Sequence, residues 1–249
     1  MHTESVKSLF LAWQAPNRLW FPVGRLEADN TQPLFVFEYT KGALKAQKDA
    51  GFKPLVAFPE FDRRYESPEL FPLFKNRVLN PHRKDFLDYL QTLDLDPAHQ
   101  DPLQILAITG GERQTDSFEV FPKIEKNPDN SFCCRFFLHG LRHVSEDAQR
   151  RALSLHMGEP LRVSLELNNP VTGVAIQLTT DDYHFIGWAP RYLVSDLLGA
   201  ICACPKVQGR VVRVNELGVP LRRRVLIELS GSFPPNFEPM SGPECQAIH

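Results

Sequence analysis

The chain has 249 residues, of which 43% are hydrophobic and 23% are charged, and its formal net charge is −2. This composition is typical of a folded globular protein and excludes a fibrous chain or a fully disordered one. The sequence contains no apolar run of about 18 residues, so we expect no membrane-spanning helix.

The cysteine content and the first residues predict the compartment. Five cysteines are an odd number, in a chain that is too long to need disulfide bonds for stability. The start, Met1-His2-Thr3-Glu4, lacks the basic residues and the apolar stretch of a secretion signal. We therefore expect a cytoplasmic protein with free thiols.

Two domains joined by a short linker are the organisation that we predict. Residues 126–130, Lys-Asn-Pro-Asp-Asn, are polar and rich in turn formers, which favours a boundary there. The first domain then covers residues 1–126 and the second covers 131–233. Residues 234–249 are rich in Pro, Gly and Ser and are predicted to be a loose tail. The predicted fold class is α+β and mostly β.

The first domain begins with strand patterns. Apolar runs on both sides of Pro16-Asn17 predict a β-hairpin, and residues 34–39 predict a third strand. Residues 41–50 have the composition of a short helix, and Gly51 is suited to end it in a left-handed conformation. These elements indicate a mixed antiparallel sheet with short helices.

Further along the first domain, Asn80-Pro81 offers a cap and a proline for a second helix. One face of that helix carries apolar side chains at the spacing i, i+4, i+7, namely Phe86, Leu90 and Leu93. Residues 105–109 and 118–121 are short apolar runs around Thr109-Gly110-Gly111, and we expect both runs to be strands.

The second domain is predicted to be a small SH3-like or OB-like β-barrel with two helices. Ser145 caps the first helix, which we expect to end at Gly158, and Pro190 begins the second, which we expect to end at Gly199. Short apolar or alternating runs predict the strands, at residues 133–138, 161–167, 174–178, 184–188, 207–215 and 224–229.

Charge is distributed unevenly along the chain. From Arg135 to Phe233 there are 12 Lys or Arg residues against 9 Asp or Glu, whereas the remainder has 16 against 21. Neutralising nucleic-acid phosphates requires clustered cations, because binding is driven by the release of condensed counterions. The local excess permits such a role without requiring it.

Three motifs of the second domain occur in an informative order. They are Gly140-Leu141-Arg142 after the first strand, Asn169-Pro170-Val171-Thr172 between two strands, and Gly187-Trp188-Ala189-Pro190-Arg191 before a helix. This order resembles the HIRAN domain over roughly residues 132–230. The resemblance implies a small β-barrel that binds nucleic acid, with DNA as a single strand or at its ends as the expected ligand.

The expected ligand residues combine cations with one aromatic platform. An indole such as Trp188 can stack on a base, and arginines can contact phosphates. For Trp188 a lid over the sheet is the competing interpretation, and for the arginine triplet from Arg222 to Arg224 it is a solvated hairpin tip. The predicted nucleic-acid-binding residues are Arg142, His143, Asn169, Thr172, Trp188, Arg191, Arg222 and Arg223.

One element departs from the resemblance. Members that bind DNA ends have an aromatic residue and an aspartate in the middle motif, where this chain has Val171 and Thr172. Capture of a 3′ end therefore lacks its usual side chains. This departure favours the rival hypothesis that the chain is a protein-interaction regulator without nucleic acid.

The first domain resembles the N-terminal subdomain of HipA-type kinases over about residues 9–122. Val23-Gly24-Arg25-Leu26, Phe35-x-Phe37-x-Tyr39 and residues 73–77 carry this resemblance. It implies a protein partner bound through the first domain, as in an antitoxin-like partner of a HipA-type kinase. A component of a phage-defence or stress assembly is the other form of this hypothesis.

The sequence has no motif that predicts catalysis, so we expect no enzyme and no cofactor. Thr109-Gly110-Gly111 lacks the remaining residues of a nucleotide-binding loop. Cys133 and Cys134 are adjacent on a strand and point to opposite faces, which disfavours a zinc site with His139 and His143. Cys202-x-Cys204 and the pair Asp181-Asp182 are incomplete as metal sites, and buried structural thiols are the simpler interpretation.

Overall fold

The computed structural model describes residues 8–29, 32–98, 100–203 and 206–249. The chain forms two compact units, each with its own antiparallel sheet. Unit 1 consists of Met1–Leu87, Asp96–Lys123 and Met240–His249, and unit 2 consists of Asp88–Leu95 and Ile124–Pro239. Strands outweigh helices, so the α+β, mostly β class is confirmed.

Unit 1 contains a five-stranded antiparallel sheet in the order β4-β3-β2-β1-β5. The predicted hairpin and third strand are confirmed as its centre. Its strands are β1 (Ser8–Gln14), β2 (Trp20–Asp29), β3 (Leu34–Tyr39), β4 (Tyr65–Ser67) and β5 (Phe118–Pro122). Its helices are α1 (Lys41–Ala50), α2 (Pro72–Lys75) and α4 (Pro102–Thr109), and α3 (Phe86–Thr92) runs from unit 1 into unit 2.

The prediction of a strand at residues 105–109 is wrong, because this segment belongs to helix α4. Asp101 caps the helix by accepting a hydrogen bond from the backbone N–H of Leu103 at 2.9 Å, and Pro102 occupies its first turn. Gly110 ends it with φ of 71°. The helix is apolar on most sides and largely buried, so it lacks the periodicity that marks an amphipathic helix.

Aromatic rings dominate the core of unit 1. Phe37 stacks on Phe58 with ring centroids 4.0 Å apart. The Tyr39 hydroxyl donates to the carbonyl of Phe58 and accepts from the backbone N–H of Leu55, both at 2.7 Å. These contacts fix the loop that follows α1 against the sheet. No helix of the described ranges is long and apolar enough to cross a membrane.

The last residues differ from the predicted loose tail. Met240–His249 belongs to unit 1, where the backbone N–H of Lys41 donates to the carbonyl of Gln246 at 2.8 Å and that of Ile248 donates to Tyr39 at 3.1 Å. These bonds satisfy backbone groups at the end of β3 and at the start of α1. A short, irregular segment that makes only a few backbone hydrogen bonds has no hydrophobic periodicity, so its sequence does not predict that it packs on the domain.

Unit 2 contains a six-stranded antiparallel sheet in the order β6-β11-β10-β7-β8-β9. The strands are β6 (Ser131–Phe137), β7 (Pro160–Asn169), β8 (Gly173–Thr180), β9 (Phe185–Trp188), β10 (Gln208–Val214) and β11 (Val225–Ser232). The predicted closed barrel is not confirmed, since the end strands β6 and β9 share no ladder. One isolated bridge, between His139 and Trp188, links these two ends of the sheet.

Both helices predicted for unit 2 are present, with shifted ends. Helix α5 (Glu146–Leu153) begins at Ser145, whose hydroxyl accepts from the backbone N–H of Ala148 at 3.2 Å, and it ends before Gly158. Helix α6 (Val194–Ala203) continues through Gly199. A side chain at Gly199 would meet the ring of Phe237 at 2.9 Å, so this glycine allows close packing and does not end the helix.

Candidate nucleic-acid interface

The first basic turn, Leu141–His143, follows β6 directly. Gly140 begins it with φ of 76°, and the side chain of Leu141 is buried and anchors it. Arg142 and His143 are exposed. The Nε–H of Arg142 donates to Nε2 of His143 at 2.9 Å, so the two exposed side chains are in contact.

The second basic turn, Leu221–Arg223, lies between β10 and β11 and is in contact with the first basic turn. Arg222 is exposed, and Arg223 is half-buried with its guanidinium 5.7 Å from the ring centroid of Tyr89. The fold therefore brings together basic residues that are about 80 positions apart in the sequence.

The third arginine of the triplet has a different role. Arg224 is buried, and its Nη2 donates to the carbonyl oxygens of Leu217 at 3.1 Å and Val219 at 2.7 Å. These bonds hold the loop before the second basic turn. The triplet thus divides into one structural residue, Arg224, and two residues on the candidate interface.

Trp188 ends β9 and is held on several sides. Its backbone N–H and C=O exchange hydrogen bonds with His139, at 2.9 and 3.0 Å. Its Nε1–H donates to Oε2 of Glu166 at 2.6 Å. The edge of its ring meets Phe185 with centroids 4.7 Å apart and planes inclined at 75°. The half-buried indole is therefore fixed in position and orientation.

A β-bulge places the two aromatic residues of β9 on one face of the sheet. Trp188 pairs with Gln177 and Phe185 pairs with Thr179, with a shift of register between them. Because Gln177 and Thr179 are two residues apart on β8, their side chains share a face. The bulge adds the extra residue that brings Phe185 and Trp188 to that same face.

Asn169 and Thr172 shape the hairpin tip, residues 169–172, between β7 and β8. Oδ1 of Asn169 accepts hydrogen bonds from the backbone N–H groups of Val171 and Thr172 and from the Thr172 hydroxyl, at 3.0 to 3.1 Å. Nδ2 of Asn169 donates to Oε2 of Glu166 at 3.0 Å. The tip is thus connected through one carboxylate to the indole of Trp188.

Arg191 lies in a 3-10 turn, Arg191–Leu193, that follows β9. Its side chain is exposed. Desolvation of the ring and, after it, the positive charge of Arg191 lower the pKa of His139, although the residue is exposed. Arg191 is therefore close to the segment that carries the first basic turn, and His139 is neutral at pH 7.

Three contributors to this geometry were not among the predicted site residues. Glu166 joins the tip to the indole, Phe185 packs against its edge, and the backbone of Gly140 lies against the ring of Trp188. A Cβ added at Gly140 would lie 2.5 Å from Cζ3 of the indole. Glu166 is part of an alternating strand pattern, in which a carboxylate that binds two side chains cannot be told from any other outward-facing polar residue.

The incomplete metal motifs have structural partners. Asp182 bonds to Arg151 at 2.9 Å and Asp181 pairs with Arg162 at 3.2 Å, so each carboxylate is neutralised by a separate arginine. Cys134 is buried and Cys133 is exposed, while Cys204 lies outside the described residues. In the part of the chain that the structure describes, no group of three or more His, Cys, Asp or Glu residues can hold a metal ion.

Comparisons with known proteins add no assignment to this geometry. No protein-family profile matches the chain, and no curated protein matches it. The crystal structure of a protein from Lactobacillus plantarum aligns with a TM-score of 0.31 and 16% identity, over 41% of this chain and 98% of that chain. Likeness at this level carries no argument about fold or function.

Proposed function

We propose that the chain is a non-catalytic nucleic-acid-binding protein, and that unit 2 is a HIRAN-like module that binds DNA as a single strand or at its ends. The observation that carries the proposal is the contact between the two basic turns beside Trp188. Arg142 and Arg222 would neutralise phosphates there, while the indole offers a stacking surface for a base.

The same proposal includes a barrel form of unit 2. The two hydrogen bonds between His139 and Trp188 join the ends of the six-stranded order and support closure at that point. Small five- or six-stranded barrels bind single strands on an outer face that combines aromatic and polar side chains. Phe185 and Trp188 supply the aromatic part of such a face.

Binding to DNA can be tested by fluorescence anisotropy with labelled single-stranded, duplex and 3′-overhang oligonucleotides over a salt series. We expect salt-sensitive binding, with the single strand or overhang preferred over the blunt duplex. The double variant Arg142→Ala, Arg222→Ala should bind more weakly, and the magnitude of the slope of log K against log salt should fall by about 1.4, since each phosphate contact to a single strand contributes about 0.7.

A matched control removes the same charge elsewhere. Arg63 and Arg64 are exposed and pair with Glu60 and Glu66 in unit 1, and their double alanine variant should leave the slope unchanged. An equal loss of DNA affinity and of salt dependence in both double variants would show that net charge, and not the candidate interface, drives binding. No binding by the wild-type protein at low salt would refute the proposed function.

The hairpin tip favours a second candidate function. Val171 is exposed and apolar, and Thr172 is engaged with Asn169, so the tip carries neither an aromatic ring nor a carboxylate for a terminal nucleotide. We therefore also consider a regulator that binds protein through unit 1, whose sequence resembles the N-terminal subdomain of HipA-type kinases. Salt-insensitive binding to a HipA-type kinase, with no DNA binding, would select this candidate.

A further inference from the structure

Glu166 occupies a central position in the candidate interface. One of its oxygens, Oε2, accepts from Trp188 Nε1–H at 2.6 Å and from Asn169 Nδ2–H at 3.0 Å. Ser164 and Glu166 are two residues apart on β7, and Ser164 pairs with Gln177, which pairs with Trp188. The carboxylate and the indole therefore lie on the same face of three adjacent strands.

The partners of this carboxylate are N–H donors of uncharged side chains. Hydrogen bonds from Asn169 and then from Trp188 lower the pKa of Glu166, so it is ionised at neutral pH. Hydrogen bonds from neutral donors to a charged acceptor are stronger than those between neutral groups. The 2.6 Å bond thus restrains rotation of the indole about its side-chain torsions.

A negative charge at this place works against phosphate binding. Like charges a few ångströms apart repel even in water. The charge of Glu166 therefore cannot add to the affinity for a nucleic-acid backbone, and any favourable contribution must come through the groups that it holds. The group that can touch a base is the indole of Trp188, which packs against Gly140 and makes a T-shaped contact with the ring of Phe185.

We propose that Glu166 is a positioning residue, which holds the Trp188 indole ready to stack on an unpaired base. This inference rests on the proposed function and specifies its ligand. The ligand is a strand in which at least one base has a face that no neighbouring base covers. A paired base inside a duplex is stacked on both sides and has no face to offer. Orientation before binding lowers the ordering cost of the complex.

The full-length chain allows a direct test, because it has only three tryptophans, Trp13, Trp20 and Trp188. The ¹H–¹⁵N spectrum of the free protein should contain three indole signals, and Trp188→Phe identifies the one from Trp188. We expect this signal to be shifted downfield and slow to exchange with water. Glu166→Ala should abolish both properties, and Glu166→Gln should retain a hydrogen-bonded signal through its amide oxygen.

Binding of the same variants to a labelled oligothymidine gives the functional result. Glu166→Ala should weaken binding about 5-fold or more, the contribution of one stacked base, with the salt slope unchanged because no phosphate contact is lost. Glu166→Gln should bind at least as tightly as the wild type. Glu146→Ala, which removes an exposed carboxylate from the first turn of α5, is the matched control and should not weaken binding.

The outcomes separate this inference from the proposed function. If the wild type binds and Glu166→Ala binds equally or more tightly, the positioning role is refuted while nucleic-acid binding stands. A loss of affinity with an unmoved indole signal would also refute it. If the wild type binds no oligonucleotide at low salt, both the proposed function and the stacking role are refuted, and the Glu166–Trp188 bond is structural. Thermal unfolding shows whether each variant is folded.

Discussion

Replacing Gly140 by alanine tests the packing of Trp188. Gly140 has φ of 76°, a conformation that residues with a side chain rarely adopt. Its added methyl group would lie 2.5 Å from Cζ3 of the indole and nearer still to Cε3. The indole cannot move aside without breaking its hydrogen bond to Glu166. The substitution therefore combines backbone strain with a steric overlap.

The two costs can be separated by a second glycine of unit 2. Gly158 also has a positive φ, 84°, but a methyl group there would have no atom within 4 Å. Left-handed backbone for a residue with a Cβ costs about 1–2 kcal/mol, and forcing an extra methyl group into a packed site costs about 1–3 kcal/mol more. We expect Gly158→Ala to destabilise unit 2 by about 1–2 kcal/mol and Gly140→Ala by about 2–5 kcal/mol.

The measurement is urea unfolding of unit 2, followed by the resolved indole signal of Trp188 in ¹⁵N-labelled protein. The Gly140→Ala variant should also lose the downfield shift of that signal and bind DNA more weakly, whereas Gly158→Ala should retain both properties. Equal destabilisation by the two substitutions, with the indole signal unchanged in both, would refute the steric argument. Backbone strain would then account for the whole effect.

An ion pair and two titratable groups elsewhere in the chain give three further predictions. The side chain of Arg77 is 1% exposed, and its guanidinium pairs with the carboxylate of Asp116 at 2.6 Å. Asp116→Ala removes this partner and should lower the free energy of unfolding of unit 1 by about 3 kcal/mol in urea unfolding. Asp85→Ala, which removes one member of an exposed ion pair, should change that free energy little. Partial desolvation of its thiol and, after it, the charge of Glu228 raise the pKa of the exposed Cys133 to about 11. Its alkylation by iodoacetamide should therefore still accelerate between pH 9 and about 11, and a plateau by pH 9 in peptide mass spectra would contradict this. Burial raises the pKa of Tyr39 to about 12, so between pH of about 10 and 12 the folded state keeps a proton that the unfolded chain loses. The free energy of unfolding should therefore fall as the pH rises through that window in denaturant titrations. Tyr39→Phe should remove this part of the fall.

Short local signals account for what the sequence could predict of the fold. Short apolar or alternating runs identified all six strands of unit 2 to within a few residues, because each run has the length of a strand and is bounded by turn-forming residues. Gly51 was identified as a helix end because its left-handed conformation is specific to glycine. Helix α4 was missed because burial on most sides removes the periodic contrast on which the interpretation depends.

The sequence motifs indicated residues of the candidate site, but they did not indicate which of its side chains contact one another. Arg142 and Trp188 belong to motifs that could be recognised in order along the chain. The bulge that turns Phe185 to the same face as Trp188 depends on a register shift, which no side-chain pattern encodes. Glu166 acquires its neighbours from the pairing of β7 with β8 and of β8 with β9, which places it on the same face as Trp188.

The arginine triplet shows why a count of charges along a sequence overstates an interface. Arg222, Arg223 and Arg224 are adjacent and chemically identical, yet their environments differ. Arg224 is buried and its Nη2 donates to two carbonyl oxygens. Arg223 lies over the ring of Tyr89, and Arg222 is exposed. A guanidinium that is buried inside the fold cannot reach a phosphate and replace its counterions. The proposed interface therefore depends on the cations that the two turns present to solvent, and not on the overall charge of −2.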